Sequence, residues 1–382
     1  LKIKRKGDQE ICQETEQTST SLEQFGLVVI DESSMIDKTL LEIILKCAQS
    51  FKTRLVFVGD SAQLPPVGEE KSSIFEIRRA VIISLEEVVR HQGPVLKLAN
   101  GIRDGSFPCE LPPCFPLCES THGLVGSLER VKWLEQAKQS LKSSSDNSNP
   151  DEARILCYTN RVLETLVPHA RRAIHGEMAD HMPVLPGEIL ITRKAVLAAA
   201  SVDGVDVGEE PDMLISSNRE MKVLDITPEH YDLSECNLAG DFNYDFPVID
   251  TLVARVLCGQ KEFSLRLLPQ VGTSSRRSLD RSLKRLSEIA KASFKKESKG
   301  FWRAFFLVRD SFASVGPASV LTVHRSQGST FENVFVASDV FWPKELLLRK
   351  QLAYVAVSRA SRQVWLVGDP EKHFSDDFSF NG

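Results

Sequence analysis

The sequence predicts a mixed α/β fold built on parallel sheets, and two features of its 382 residues predict it. Short runs rich in valine and isoleucine, LVVI (27–30) and RLVFVGD (54–60), flank a segment (37–50) whose apolar residues recur with helical spacing. Strand, helix and strand joined by short connections form a βαβ unit, which implies a parallel sheet covered by helices. The alternation returns later in the chain, with strands predicted at 318–324, 332–338 and 362–369 and a helix at 345–360.

The overall composition excludes several classes of protein. With 42% hydrophobic residues, 26% charged residues and a net charge of -5, the chain is neither disordered nor collagen-like nor a coiled coil. Its length predicts two or three domains. No segment approaches the roughly 18 consecutive apolar residues of a membrane-spanning helix. Eight cysteines without regular spacing indicate a reducing compartment, so we predict the cytoplasm, or the nucleus or an organelle in a eukaryote.

The middle of the chain is organised differently from the two α/β parts. A polar stretch that contains proline, SSSDNSNPDE (143–152), is the clearest candidate for a linker. We therefore predict one domain at 1–142 and a second that begins at 153. Residues 183–310 contain short runs rich in valine, isoleucine and leucine, which predicts a β-rich insertion between the two parts of the second domain, 153–182 and 311–382.

A basic segment closes this insertion. Residues 275–303 contain ten lysines or arginines and three acids, in a chain whose remaining residues are acidic overall. Such a segment is either a solvated helix face or a surface that binds polyanions, and composition alone leaves both interpretations open.

Two adjacent carboxylates, Asp31 and Glu32, follow the first predicted strand. The carboxyl ends of parallel strands are where open α/β sheets bind ligands. In a nucleotide-hydrolysing protein the first carboxylate can help to hold Mg²⁺, and the second can orient and deprotonate the attacking water. Acids also begin loops and cap helices, and Asp37 is expected to be a helix cap. The pair alone therefore leaves catalysis and loop structure both open.

Further polar residues at strand ends strengthen the nucleotide interpretation. Gly59, Asp60 and Gln63 lie in VGDSAQLPPVG (58–68) after the second strand, where a glutamine can contact a terminal phosphate or its water. Arg90 and Arg359 are cations of the kind that stabilise the transition state of phosphoryl transfer. Either arginine alone would more commonly form a surface ion pair.

Six segments in order resemble motifs II to VI of the superfamily 1 helicases, and the RecD/Dda-type branch matches best. The resemblance extends from about residue 27 to residue 369 and implies two RecA-like motor lobes, with an SH3-like module in the insertion. A chance match of six ordered motifs is much less expected than a match of any one. The segments are DESSM (31–35), VGDSAQLPPVG (58–68), VVRHQ (88–92), RILCYTN (154–160), TVHRSQGST (322–330) and AYVAVSRAS (353–361).

The resemblance implies a role for each matched residue. Asp31 resembles the Mg²⁺ ligand, Glu32 the catalytic base, Gln63 the γ-phosphate sensor, and Arg90 and Arg359 the two arginine fingers. The remaining expected contacts to the nucleotide are Gly59, Asp60, Gln327 and Gly328, and those to nucleic acid are Thr159, Asn160, Thr322, His324 and Ser326.

The implied activity is ATP-dependent translocation on single-stranded DNA with unwinding of duplexes, in the 5′→3′ direction. ATP and Mg²⁺ are the implied cofactors, single-stranded DNA and duplex junctions are the implied partners, and no membrane is involved. A single-strand-binding, recombination or repair protein as a further partner is left open.

One feature of the family is missing from the sequence. No GxxxxGK[ST] phosphate loop occurs, and GEEKSS (68–73) follows the acid pair instead of preceding it. The chain also begins with Leu1, so we expect an N-terminal truncation and no activity of this chain by itself. Two alternatives remain: a non-catalytic protein that binds nucleic acid, and a RecD-like subunit of a helicase–nuclease complex.

Overall fold

The structure, a computed structural model, describes residues 2–6, 9–13, 24–66, 68–69, 71–78, 80–85, 93–106, 117–202, 213–235 and 246–368. The chain divides into two compact units. The first comprises Leu1–Lys4, Ile11–Ile174 and Ser319–Gly382, and the second comprises Arg5–Glu10 and His175–Ala318.

The described residues form the following elements in chain order. The strands are β1 (Lys2–Lys6), β2 (Gln9–Gln13), β3 (Leu27–Ile30), β4 (Arg54–Phe57), β5 (Cys118–Ser120), β6 (Gly123–Leu128), β7 (Ala153–Cys157), β8 (Ile189–Thr192), β9 (Val196–Leu197), β10 (Met213–Ile215), β11 (Glu220–Asp232), β12 (Val248–Cys258), β13 (Lys261–Arg266), β14 (Val315–Pro317), β15 (Val320–Thr322), β16 (Phe331–Val336) and β17 (Ala360–Val367). The helices are α1 (Lys38–Phe51), α2 (Gly93–Asp104), α3 (Arg130–Asp146), α4 (Asn160–His175), α5 (Met178–His181), α6 (Ser274–Ala292), α7 (Lys295–Asp310), α8 (Val323–Ser326) and α9 (Leu346–Ser358).

The first unit begins with the predicted βαβ arrangement. Strands β3 and β4 pair in parallel and α1 connects them. Asp37 caps α1, because its Oδ1 accepts a hydrogen bond from the backbone N–H of Leu40 at 2.8 Å, which confirms the prediction. One face of this small sheet packs on Ile36, Leu41 and Ile74. Because β3 and β4 run parallel, their carboxyl ends lie at the same edge of the sheet.

A six-stranded sheet forms the larger part of the first unit. Its strand order is β15–β7–β16–β17–β6–β5, and every neighbouring pair is parallel except β5 and β6. All five residues of β7 are buried, as expected for a strand covered on both faces. Trp133 of α3 packs on Phe335 and donates a hydrogen bond from Nε1 to the carbonyl of Trp365 at 3.1 Å. The prediction of a mixed α/β fold with a parallel-sheet core is confirmed.

The segment predicted as a linker, 143–152, has a different place in the structure. Helix α3 extends into it as far as Asp146, and the Ser144 hydroxyl donates to the carbonyl of Asn149 at 2.6 Å. Strands β5 and β6, which precede this segment, belong to the same sheet as β7, which follows it. The polar composition of 143–152 thus reflects a surface turn within one sheet and not a boundary between two domains.

The second unit is rich in β-structure, as the sequence predicts for the insertion. A five-stranded sheet has the order β13–β12–β11–β8–β14, with all pairs antiparallel, and β9 and β10 form a small pair of their own. The basic segment forms two helices, α6 and α7, instead of one. They pack together and on the end of the sheet through Leu279, Leu286 and Val308. In the part of the chain that the structure describes, no helix has the length and apolar character needed to cross a bilayer.

Candidate nucleotide and nucleic-acid sites

The acid pair lies at the carboxyl end of β3 in an unusual backbone conformation. Glu32 has φ 48° and ψ 36°, in the left-handed region that non-glycine residues rarely adopt. The backbone N–H of Glu32 donates to Oδ1 of Asp31 at 2.8 Å, which supports the turn. Strain of this kind costs about 1–3 kcal/mol and is concentrated at functional sites. Lys52, Ser148 and Asn218 adopt the same conformation at other turns, so what the conformation establishes at Glu32 is the path of the backbone beside Asp31.

Gly59 allows the loop after β4 to approach the acid pair closely. The backbone N–H of Ser33 donates to the carbonyl of Val58 at 2.9 Å, so the two loops are joined. A Cβ atom at position 59 would lie 2.9 Å from Ser33 Oγ and 3.0 Å from the backbone nitrogen of Ser34. Residue 59 must therefore be glycine for the loops to keep this spacing. In the structure Gly59 allows the two loops to pack closely. Its predicted contact with a nucleotide stays a prediction.

Three of the predicted motifs meet around Gln63. The Nε2 atom of Gln327 donates to Oε1 of Gln63 at 3.3 Å. A Cβ atom at Gly328 would lie 3.8 Å from Oε1 of Glu32, so that glycine lies beside the carboxylate. The acid pair, the glutamine loop and the TVHRSQGST segment are thus brought together, although Glu32 and Gln327 are far apart in sequence.

Asp60 has a structural partner that the sequence did not predict. Its Oδ2 accepts a hydrogen bond from the Tyr354 hydroxyl at 2.7 Å, and its Oδ1 accepts from the backbone N–H of Ala62 at 2.9 Å. Burial, and then the bond to Asp60, raise the pKa of Tyr354 to about 12, so the hydroxyl keeps its proton. Asp60 links α9 to the glutamine loop, which differs from the predicted contact to the nucleotide.

The two predicted arginine fingers differ in what the structure says of them. Arg90 lies outside the described residues. Arg359 is only 1% exposed, and its guanidinium donates to the carbonyls of Val355 and Ser329 at 3.2 and 3.3 Å and to the Ser358 hydroxyl at 3.0 Å. In this arrangement Arg359 stabilises the carboxyl end of α9 and is not exposed to solvent.

A cavity of about 260 Å³ adjoins Gln63. The hydroxyls of Ser34 and Ser72 are buried and find no hydrogen-bond partner among the described residues. Unpartnered hydroxyls are costly when buried, so the cavity can accept a polar group. The polar residues that line the cavity are Ser34, Asp60, Ser61, Gln63, Lys71, Ser72, Glu76 and Gln351, and the apolar ones are Pro65, Phe75 and Leu347.

The TN pair after β7 is held by a buried aspartate. Asp339 is fully buried, and its carboxylate accepts from the backbone N–H groups of Tyr158 and Thr159 at 3.1 and 2.8 Å and from the Thr159 hydroxyl at 2.9 Å. Thr159 also caps α4 by accepting from the N–H of Val162 at 3.3 Å. Asn160, the first residue of α4, is exposed. Asn160 is thus open to a ligand, whereas Thr159 is occupied by structural bonds.

In the TVHRSQGST segment His324 and Arg325 are half-buried, between the buried residues Thr322 and Ser326. Thr322 is 8% exposed, and Ser326 is fully buried with its hydroxyl on the carbonyl of Val323 at 2.8 Å. A direct contact from Ser326 to nucleic acid therefore does not agree with its position. His324 stacks on Tyr158 with ring centroids 6.1 Å apart, and burial lowers its pKa.

Two functional candidates were missed by reasoning from the sequence, namely Asp339 and Tyr354. Asp339 follows a predicted strand, which is the same signal that singled out Asp31. Tyr354 is a lone hydroxyl in the otherwise apolar stretch of α9, and it lies within a segment already assigned to a motif.

The donor set at the acid pair fits Mg²⁺. Mg²⁺ in phosphoryl-transfer sites is held by one or two carboxylates, with water and phosphate oxygens completing its ligands. Asp31 is exposed, and only its Oδ1 is used in the turn. Among the described residues there is no group of three or more acidic, histidine or cysteine side chains that would hold a metal by protein ligands alone.

Comparison with known protein families finds two matching models. Residues 317–367 match the UvrD-like helicase C-terminal domain, and residues 6–111 match an AAA domain. The first match contains the segments that hold His324, Gln327 and Arg359, and the second contains the acid pair and Gln63.

The chain is also similar to several individual proteins. The ATP-dependent DNA helicase dda of Enterobacteria phage T4 is 21% identical over 350 residues, which are 89% of this chain and 75% of that protein. Uncharacterized protein R530 of Acanthamoeba polyphaga mimivirus is 45% identical over 50 residues, 13% of this chain and 10% of that protein. A Pif1 helicase from Bacteroides bound to ssDNA has a TM-score of 0.47 and 15% identity, covering 94% of this chain and 74% of its own. Pif1 helicase from Candida albicans has a TM-score of 0.45 and 17% identity, covering 94% and 75%.

The two family models and the phage relative agree with the six motifs and their order. Over these segments the chain is similar to superfamily 1 helicases, and its phage relative is of the Dda type.

Proposed function

We propose that the protein is an ATP-dependent DNA helicase that moves 5′→3′ along single-stranded DNA and unwinds duplexes. The observation that supports this most strongly is the meeting of three motifs, in which Gln63 bonds to Gln327 and Glu32 lies beside Gly328. A nucleotide bound there would contact residues from two parallel sheets, as a motor requires. The name of the phage relative, an ATP-dependent DNA helicase, supports the same assignment.

The proposed domains follow from this function. We assign the sheet of β3 and β4 to the first motor lobe and the six-stranded sheet to the second lobe. Residues 175–318 of the second unit are the proposed insertion, and their antiparallel sheet is the part that we compare with an SH3-like module.

The roles of the residues in hydrolysis follow from their chemistry. Bound Mg²⁺–ATP would supply the transferable phosphoryl group and a cation that neutralises its charge. Asp31 would hold the metal, and Glu32 would orient a water molecule and accept its proton. Gln63 would contact the terminal phosphate, and its hydrogen bond with Gln327 would change when that phosphate is lost. Arg359 would need to leave its carbonyl acceptors to act as a finger, and Arg90 is proposed as the second finger on sequence alone.

The proposed track for the strand lies on the second sheet. Asn160 is exposed there and His324 is half-buried, as are Tyr158, Thr159 and Arg325. We assign the contacts to Asn160 and His324, with Thr159 and Thr322 positioning them. A neutral imidazole stacked on Tyr158 suits contact with a base or sugar better than contact with a phosphate.

Turnover by these 382 residues alone is not expected, because their sequence contains no phosphate loop. The test is ATP hydrolysis by the purified chain, with and without single-stranded DNA, beside a form extended by a segment that contains a GxxxxGK[ST] phosphate loop. We expect DNA-stimulated turnover from the extended form only. Rapid turnover by the 382-residue chain would overturn our account of the phosphate loop. An extended form that binds DNA without hydrolysing ATP would overturn the motor.

A non-catalytic protein that binds nucleic acid is the second candidate. The burial of Arg359 on the end of α9 favours it, since a guanidinium used only for structure would be held in this way. The two candidates differ in the effect of Arg359→Lys, which should lower turnover in a motor and alter only stability in a binding protein.

A further inference from the structure

The turn between the two basic helices carries an exposed aromatic ring. Phe294 lies between the end of α6 and the start of α7, and it is 88% exposed. Burying a side chain of this kind would stabilise the fold. The fold gains none of that stabilisation at this position.

The turn does not need a phenylalanine for its own geometry. Its backbone is fixed by serines, because Ser293 donates from N and Oγ to the carbonyl of Ile289, and Ser298 donates from Oγ to the carbonyl of Ala290. Phe294 occupies the N-cap of α7 and makes no side-chain capping bond. Thr273, at the N-cap of α6, does cap its helix by accepting from the N–H of Arg276 at 3.1 Å. A serine or aspartate at position 294 would cap α7 and stabilise it further.

A row of exposed cations leads along α6 towards this turn. Arg277, Arg281 and Lys284 follow one another at intervals of four and three residues, so they share one face of the helix. The opposite face is buried through Leu279 and Leu286. At 1.5 Å per residue, the row and Phe294 extend over roughly 25 Å, which is long enough to follow several nucleotides.

The charge of the row is only partly neutralised within the helix. Asp280 pairs at 3.0 Å with Arg276, which does not belong to the row. Within the row, Lys284 approaches Glu288 only at 3.9 Å, and both of these side chains are more than half exposed. Arg281 donates to the carbonyl of Arg277 and to the Ser278 hydroxyl, which holds its guanidinium along the row. Exposed pairs of this kind are weak, so the face keeps a positive potential.

We propose that Phe294 and the row Arg277, Arg281 and Lys284 form a second binding surface for single-stranded nucleic acid. Phe294 stacks on a base while the three cations contact successive phosphates. An exposed aromatic side chain next to a basic row is the arrangement that binds single strands without sequence preference. The inference rests on the proposed function because it takes the same class of ligand, single-stranded nucleic acid. The surface itself lies on α6 and α7 and includes none of the residues proposed for ATP hydrolysis.

The test is binding of labelled oligothymidylate to the 382-residue chain without nucleotide, measured by anisotropy over a series of salt concentrations. Phe294→Ala should weaken binding about 5- to 140-fold at every salt concentration, because stacking contributes about 1–3 kcal/mol per base and is not ionic. Phe294→Trp should bind at least as well as the parent. Alanine at all three cations should reduce the salt slope by about two units, near 0.7 for each phosphate contact.

Matched controls are available within the same unit. Val271 is 84% exposed, and Val271→Ala removes apolar surface elsewhere. Alanine at Lys194, Lys222 and Lys261 removes three exposed charges that lie off the helix hairpin. Both controls should bind like the parent, and circular dichroism melts should show that all variants are folded.

The outcomes separate this inference from the motor. If Phe294→Ala and the triple variant bind as the parent does, the inference is overturned and the helicase proposal stands. If they lose affinity while Asn160→Ala and His324→Ala do not, the inference stands and the proposed track on the second sheet fails. Anionic vesicles and polyglutamate serve as rival ligands. Phe294-dependent binding to either of them, with none to the oligonucleotide, would overturn a nucleic-acid surface.

Discussion

The two parallel sheets of the first unit hold different kinds of residue at the carboxyl ends of their strands. After β3 the backbone is strained at Glu32, and Asp31 is exposed. After β7 and β16 the loops are joined by Asp339, which is fully buried and accepts three hydrogen bonds. One edge is arranged to present charge, and the other is arranged to fix a backbone.

This difference indicates a division of work between the sheets. Strain is retained where a side chain must point at a reacting group, since relaxation would be favourable otherwise. A fully satisfied buried carboxylate stabilises the loops around it and defines their positions. We therefore propose that the chemistry takes place at the edge of the small sheet and that the edge of the large sheet has a positioning role.

Glu32→Gln gives the largest expected effect on that assignment. In a form of the protein that hydrolyses ATP, loss of the base should reduce turnover by about 10²–10⁴-fold while nucleotide binding persists. Glu42→Gln, at an exposed position on α1, is the matched control and should leave turnover unchanged. Steady-state hydrolysis and nucleotide affinity measured together provide the test. Normal turnover by Glu32→Gln would remove the chemical role from this edge.

Asp339→Ala should have the next largest effect, and that effect should be on stability. It leaves three donors in the Tyr158–Thr159 loop without their acceptor, so we expect a loss of about 2–4 kcal/mol in the free energy of unfolding. Asp146→Ala, an exposed acid at the end of α3, should change stability by less than about 0.5 kcal/mol. Urea denaturation measures both, and equal effects of the two variants would contradict the positioning role.

Tyr354→Phe tests the hydrogen bond that joins α9, beside the large sheet, to the loop after β4 of the small sheet. Losing the bond to Oδ2 of Asp60 should cost about 1 kcal/mol of stability. Asp60→Asn should act through the same bond, so the double variant should be less destabilised than the sum of the single ones. A double-mutant cycle by thermal or urea denaturation gives the coupling energy. Additive effects would mean that the bond contributes nothing.

The smallest expected effect is on the pH dependence of stability. Burial lowers the pKa of His324 below its ordinary value of 6.5, so the unfolded chain binds that proton more readily than the folded one. Stability should therefore fall as the pH drops through about 6.5, and His324→Gln should fall less. Melting temperatures from neutral to mildly acidic pH measure this difference. Parallel curves for parent and variant would exclude a contribution from His324.

Local patterns in the sequence were sufficient for the elements that carry the motifs. Strand β3 and the N-cap at Asp37 lie at the predicted residues, because apolar runs and capping residues act over a few neighbours. The parallel core was also predictable, since alternating strands and helices leave few other arrangements.

Long-range pairing explains what was not predicted. The sequence gives no local sign that β6 pairs with β17, or that the Tyr354 hydroxyl reaches Asp60, because each contact joins distant parts of the chain. The polar stretch at 143–152 was interpreted as a linker for the same reason. The conformation of Glu32 was equally hidden, since propensity favours other residues in the left-handed region. The catalytic and binding roles themselves stay predictions until the variants are measured.

The discontinuous path of the six-stranded sheet has a consequence for folding kinetics. Strands β5, β6 and β7 precede residues 175–318 in the chain, while β15, β16 and β17 follow them. During synthesis β6 and β7 cannot pair with β15, β16 and β17 until residues 175–318 have been made. The antiparallel sheet and both basic helices, in contrast, lie entirely within 175–318. Contacts between distant residues form slowly because loop closure must come first. We therefore expect the second unit to acquire protection from proteolysis on the ribosome before the sheet that surrounds it in sequence is complete.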